Sequence, residues 1–349
     1  MIGQGLFHTL QRYRTLHTDR ISVLPIVILM PHSACNCRCV MCDIWKDNKN
    51  LKQLTVKDVE ALLNSLKKFG TQQIVMSGGE ALLNVHFFTL CRILKEQNIK
   101  ITLLSTGLSI KKHAVELLKW VDDLIVSLDG DEKVHDLIRD IPGAFRKLKE
   151  GVEHIRELAP EYRITSRTVI HRLNFQNWPA IIEAGKQMGL NQMSFLPADV
   201  SSQAFNRPTA WSEPKQHEIL PEESQLPLFQ EVINQLPVQY RSDFADRFIA
   251  ESPTKIQDIY RYYAAFYGYN DFPFKKCNAP WVSTVIEADG SVRPCFFHEA
   301  IGTIREQSLE EILNNKAAVD FRKTLNVSTN ATCVKCVCSL NLSPFAKLN

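Results

Sequence analysis

The sequence predicts an α/β protein built on a parallel sheet, with a second, smaller unit behind it. Two observations carry this. Through residues 22 to 200, short apolar runs alternate with amphipathic runs of helical period, so that each pair of strands is joined by a crossover helix. Much later, beyond a proline-rich stretch, Ala288-Asp289-Gly290 gives a hairpin-turn signal between two strand-like runs.

Residues 1 to 21 place Leu6, Phe7, Leu10, Tyr13 and Leu16 at helical spacing with Arg12, Arg14 and Arg20 between them. That is a short helix packed on the domain or a membrane-surface anchor. Ile26 to Met30 is the first strand, and Pro25 is tolerable at its start. Thr55 N-caps a helix to Phe69 whose apolar face is Val56, Val59, Leu62, Leu63 and Leu66. The remaining strands are read at Gln72 to Ser77, Ile99 to Ser105, Asp123 to Leu128, Tyr162 to His171 and Met193 to Pro197. Helices are read at Phe87 to Gln97, Lys111 to Lys119, Gly143 to Leu158 and Trp178 to Met188. Residues 201 to 276 loosen into a bridge punctuated by Pro208, Pro214, Pro221, Pro227 and Pro237, with a helix from Gln230 to Leu236 and aromatics from Tyr260 to Phe274 that read as packing. Residues 277 to 349 give a strand at Val282 to Glu287, the hairpin turn and a helix from Leu309 to Thr324.

Composition is that of a soluble globular chain: 349 residues, 45% hydrophobic, 23% charged and a net charge of +3. So small a charge gives no field for nucleic acid or anionic lipid. Ile21 to Met30 is too short to span a bilayer. With ten cysteines and no visible signal peptide, the reading is metal-sulfur chemistry in a reduced cytoplasm, not a disulfide framework.

Four of those cysteines fall within eight residues, and Cys35, Cys39 and Cys42 have the spacing C-x3-C-x2-C directly after the first strand. Thiolate suits iron-sulfur clusters or zinc, and three sulfurs on one loop can hold three corners of a 4Fe-4S cube with one iron left open. A parallel sheet binds ligands at the carboxyl ends of its strands, where this loop sits. Ser77-Gly78-Gly79-Glu80 ends the second strand, and its glycines let backbone approach a ligand closely. The strand at Tyr162 to His171 alternates, placing Arg167 and His171 on one face as candidates for holding substrate or cofactor. Asp199, just past the sixth strand, is a candidate base.

The three-cysteine loop, the Gly-Gly-Glu run and the six strand-helix units resemble the radical S-adenosylmethionine (radical SAM) superfamily. The resemblance implies a partial (β/α)6 TIM-like barrel over residues 22 to 200, a 4Fe-4S cluster on Cys35, Cys39 and Cys42, and reductive cleavage of SAM to a radical that takes a substrate hydrogen. It also implies cofactor contacts from Met41, from Ser77, Gly78, Gly79 and Glu80, from Ser105, and from Ser127 with Arg139. Ala81 stands where relatives carry proline after the Gly-Gly-Glu. A flavodoxin- or ferredoxin-type electron donor is implied as partner.

Cys277, Cys295, Cys333 and Cys336 follow C-x12-G-x4-C and C-x2-C spacings. The set resembles the twitch domain, a shortened SPASM domain, and implies one auxiliary 4Fe-4S cluster, although four thiolates equally suit zinc. Cys338 is an alternative fourth ligand to Cys336; Cys37 and Cys91 are expected to be unligated. An auxiliary cluster can accept an electron, which favours oxidation or epimerisation of a small hydroxylated substrate. Rivals are a peptide- or protein-modifying maturase, disfavoured by the short segment before the first strand, and a non-enzymatic zinc-binding module.

Overall fold

The computed structural model of the chain describes residues 2–207 and 209–346, with side chains from His8 onward. The side chains of Leu6 and Phe7 and the whole of Pro208 fall outside the described residues.

All six expected strands form: β1 (Ile26–Leu29), β2 (Gln73–Met76), β3 (Lys100–Ser105), β4 (Asp123–Ser127), β5 (Ile164–Ile170) and β6 (Gln192–Pro197). They pair in parallel in sequence order. The sheet stays open among the described residues, as a partial barrel does. On the β6 edge, Phe248 to Ala250 add a short bridge in which the Met193 amide donates to Phe248 at 2.6 Å and the Ala250 amide to Met193 at 2.8 Å, so this edge is partly paired.

Helices follow the apolar period. Val56–Lys68 begins with a capping box, in which the Thr55 hydroxyl accepts the Asp58 amide at 3.2 Å and the Asp58 carboxylate accepts the Thr55 amide at 2.8 Å. A helix at Glu132–Arg139 went unread in the sequence. The expected Lys111 to Lys119 helix begins only at Ala114. The expected helix from Leu309 to Thr324 is two helices, Leu309–Asn314 and Lys316–Thr324, because Asn315 is extended (φ −64°, ψ 167°) and its side chain caps the second by accepting the Ala318 amide at 2.8 Å.

The bridge is more helical than its prolines suggest, with helices at Glu213–His217, Leu226–Gln239, Arg241–Ala245 and Pro253–Ala264. Its aromatics are packing only in part: Tyr269 and Phe274 are exposed. Tyr262 and Tyr263 are buried, and their hydroxyls bond the Ala198 carbonyl (3.2 Å) and amide (2.8 Å) just past β6.

The C-terminal hairpin differs most from expectation. β7 (Ser283–Ile286) does not start a separate sheet but pairs in parallel with β1, Ile26 opposite Ser283 through Leu29 opposite Ile286. β8 (Ser291–Arg293) and β9 (Gly302–Thr303) continue outward, giving one nine-stranded sheet in the order β6-β5-β4-β3-β2-β1-β7-β8-β9. The N-terminal helix, Ile2–Thr18, reaches this part of the chain through the buried Arg12, which donates to the Ser343 carbonyl at 3.1 Å. No described helix is long and apolar enough to cross a membrane.

Candidate active site

A cavity opens at the carboxyl ends of β1 to β6. Cys35, Cys39 and Cys42 line it, together with Met41, Ser77, Gly78, Gly79, Ser105, Ser127, Arg139, Arg167 and Asp199. The structure therefore gathers most of the residues singled out from sequence. Its remaining wall is largely apolar, with Leu104, Ile125, Val126, Val169, Leu196 and Pro197.

The cysteine loop is held from several sides. Asn48 brackets Cys35, its Oδ1 accepting the Cys35 amide at 3.0 Å and its Nδ2 donating to the Cys35 carbonyl at 2.9 Å. The amides of Arg38 and Val40 donate to the carbonyls of Arg139 (3.0 Å) and Ile138 (3.1 Å) at the end of the Glu132–Arg139 helix. From that helix the Arg139 guanidinium pairs with fully buried Asp129 and donates to Cys39 Sγ at 3.4 Å. Hydrogen bonding from Cys37 and the Arg139 charge, against burial, lower the pKa of the Cys39 thiol, while burial pushes Cys42 up to about 12. Cys37 is buried behind the loop, off the cavity wall.

Gly79 explains why the run after β2 needs glycine. A Cβ there would lie 2.2 Å from the Ala34 carbonyl oxygen, and the next amide, of Glu80, donates to that same oxygen at 2.9 Å. The turn thus packs directly on the cysteine loop. Glu80 itself is fully buried and does not line the cavity. Its carboxylate accepts the Ser105 hydroxyl (3.0 Å), the Thr106 amide (2.8 Å) and hydroxyl (2.7 Å), and the Leu82 amide (3.2 Å), and burial raises its pKa. In this structure Glu80 ties the ends of β2 and β3 together.

The three catalytic candidates separate. Arg167 faces the cavity and makes no side-chain hydrogen bond or ion pair among the described residues. Asp199 lines the cavity but is paired with Arg207 at 2.6 Å. His171 is fully buried off the cavity, its Nε2 without a hydrogen-bond partner among the described residues and its pKa pushed down to about 3 by burial and by the Arg139 charge.

At the second set of cysteines, Cys295 is pushed up to about 12 by burial, with Cys277 and Cys333 close enough to add to the shift. The Cys336 thiol donates to the Cys338 carbonyl at 2.7 Å. Val337 and Cys338 reach the first cavity and line it together with the cysteine loop. His298 Nε2 lies 3.4 Å from Cys333 Sγ. Its sequence signal is its position three residues after Cys295. None of the ten cysteines is joined in a disulfide. Among the described residues no group of three or more His, Cys, Asp or Glu side chains is gathered around a single-ion position. The fit to iron-sulfur clusters rests on soft thiol donors, three of them on one cavity wall with a guanidinium at Cys39.

Comparison with known proteins agrees with this arrangement. Residues 29–184 match the Radical SAM superfamily model, and residues 277–337 match the SPASM iron-sulfur cluster-binding domain. An AdoMet-dependent heme synthase of Methanosarcina barkeri (strain Fusaro / DSM 804) is 25% identical over 300 residues, 83% of this chain and 82% of that protein. A cysteine-type anaerobic sulfatase-maturating enzyme of Clostridium novyi (strain NT) is 24% identical over 325 residues, 85% of this chain and 81% of that one. The crystal structure of Streptococcus suis SuiB shares the fold, with a TM-score of 0.65 at 14% identity, over 93% of this chain and 73% of that chain. These matches set aside the zinc-binding module, and they bring a 4Fe-4S cluster with SAM at the first site and iron-sulfur chemistry at the second. With its three-cysteine loop at the mouth of an open parallel barrel and its cysteine-bearing tail against the same cavity, the chain belongs to the radical SAM superfamily and carries a C-terminal SPASM-type cluster domain.

Proposed function

We propose that the chain reductively cleaves SAM and uses the resulting radical to take a hydrogen from a small hydroxylated substrate, leading to its oxidation or epimerisation. The observation that carries this reading is that Val337 and Cys338 share a cavity with Cys35, Cys39 and Cys42. A substrate held there has the cysteine loop and the tail segment 337–338 beside it. When bound, a 4Fe-4S cluster on Cys35, Cys39 and Cys42 supplies the electron for SAM cleavage, and an auxiliary cluster on the C-terminal cysteines supplies an acceptor for the substrate's second electron.

The chain's own residues set the conditions. Arg139, fixed by Asp129, keeps a positive charge at Cys39. The apolar wall of Leu104, Ile125, Val126 and Val169 excludes water, which protects a reactive radical. Arg167 offers unused donors to hydroxyl or carboxylate oxygens of a substrate. A flavodoxin- or ferredoxin-type protein is the proposed reductant.

Similarity to the sulfatase-maturating enzyme along most of both chains supports a second reading, in which the oxidised group is a side chain of a peptide. Anaerobic, reduced protein given SAM and either deuterated polyols and aminocyclitols or serine- and cysteine-containing peptides separates the two. Deuterium in 5'-deoxyadenosine from the small alcohols supports the first reading. Transfer from peptides alone overturns it in favour of the second.

A further inference from the structure

The bridge after β6 folds back onto the cysteine loop, touching Met41, Asp43 and Ile44. Asp199 and Arg207 form a buried ion pair at 2.6 Å, each side chain 1% exposed. The guanidinium fork also donates to the Asp199 carbonyl (2.9 Å), the Ser202 carbonyl (3.3 Å) and the Met41 carbonyl (3.4 Å), inside the cysteine loop. It stacks 3.8 Å from the centre of the Trp211 ring, and Trp211 Nε1 donates to Asp43 at 2.7 Å. Asn206 Nδ2 reaches the Ile44 carbonyl at 3.5 Å. Cys42 lies between Met41 and Asp43, so the segment carrying it is pinned from the bridge at three successive places.

The backbone that delivers these contacts is strained. Phe205 and Asn206 are both left-handed, at φ +63° and +61°. Such a conformation persists only where its surroundings over-determine it.

We infer that Arg207 is a positioning residue of the first site: it links the cavity carboxylate Asp199 to the Met41 carbonyl and so fixes Cys42 against the cavity. This rests on the reading of Cys35, Cys39 and Cys42 as the SAM-site ligands. It asks for a planar fork as well as a charge, since one guanidinium makes the ion pair, the carbonyl bonds and the ring stack at once.

The test is the change that SAM causes in the electron paramagnetic resonance spectrum of the reduced, reconstituted protein, followed as a SAM titration. The second cluster's signal serves as the control for folding. In Arg207→Gln the titration midpoint rises roughly tenfold or more, because a buried partner has been lost, and Arg207→Lys does not restore it. Trp211→Phe, which removes the bond to Asp43 without unpairing a buried charge, shifts the midpoint the same way by less. An unchanged midpoint in Arg207→Gln overturns the inference; if that variant does not fold, an unchanged midpoint in Trp211→Phe does so. Loss of any SAM-dependent change in the unaltered protein would instead count against the reading of the cysteine loop.

Discussion

Arg139 holds Cys39 through both side chain and backbone: its guanidinium donates to the thiol at 3.4 Å, and its own carbonyl accepts the amide of Arg38, the residue before Cys39, at 3.0 Å. Because Asp129 is fully buried against the same guanidinium, Arg139→Gln leaves an unpaired buried carboxylate. We expect a loss of about 3–5 kcal/mol in stability, most of it recovered in the Asp129→Asn/Arg139→Gln pair. The first cluster's spectrum stays altered in both variants. Denaturant titration and electron paramagnetic resonance on the same samples check the two halves of this prediction.

Gly79→Ala forces a methyl to within 2.2 Å of the Ala34 carbonyl oxygen, so the cysteine loop must move. The expected cost is about 1–3 kcal/mol. Iron in the first site falls while that in the second is retained, as read by iron analysis and spectroscopy after anaerobic reconstitution.

Cys39→Ala abolishes formation of 5'-deoxyadenosine from SAM, whereas Cys336→Ala leaves it partly intact. The unaltered chain binds about eight irons if both sites hold 4Fe-4S clusters and about four if only one does. Chromatographic assay of the nucleoside checks the first statement, and equal loss in the two variants would remove the case for separate roles.

His135 and His171 are each held neutral, their pKa pushed down to about 3 by burial and by the Arg139 charge. In the unfolded chain each takes up a proton near 6.5, so between that value and about 3 the unfolded state carries more protons and acid favours it. Stability therefore falls as pH drops below about 6.5, by up to about 1.4 kcal/mol per pH unit for each histidine. Urea midpoints from pH 8 to 5 should decline, and less steeply in His171→Asn.

The strands were legible because buried parallel strands are nearly continuous apolar runs, and the cysteines because their spacing needs no tertiary context. The Glu132–Arg139 helix was not, since its buried residues are His135, Ile138 and Arg139, two of them polar and so unlike an apolar helical face. Glu80 and His171, candidates for ligand contact, are buried and do not line the cavity. Their side chains are claimed by Ser105 and Thr106 in one case and by the packed end of β5 in the other. Arg207, Trp211 and Asn48 gave no local signal, because each acts on a loop at least thirteen residues away in sequence.

The pairing of β7 with β1 makes the tail a poor candidate for deletion. Cutting the chain before Ser283 would strip hydrogen bonds from one side of Ile26 to Leu29, a strand whose side chains are almost all buried, and leave a bare apolar edge open to self-association. A shortened barrel should thus aggregate during expression instead of surviving as an active fragment, and the two cysteine sites stand or fall as parts of one folding unit.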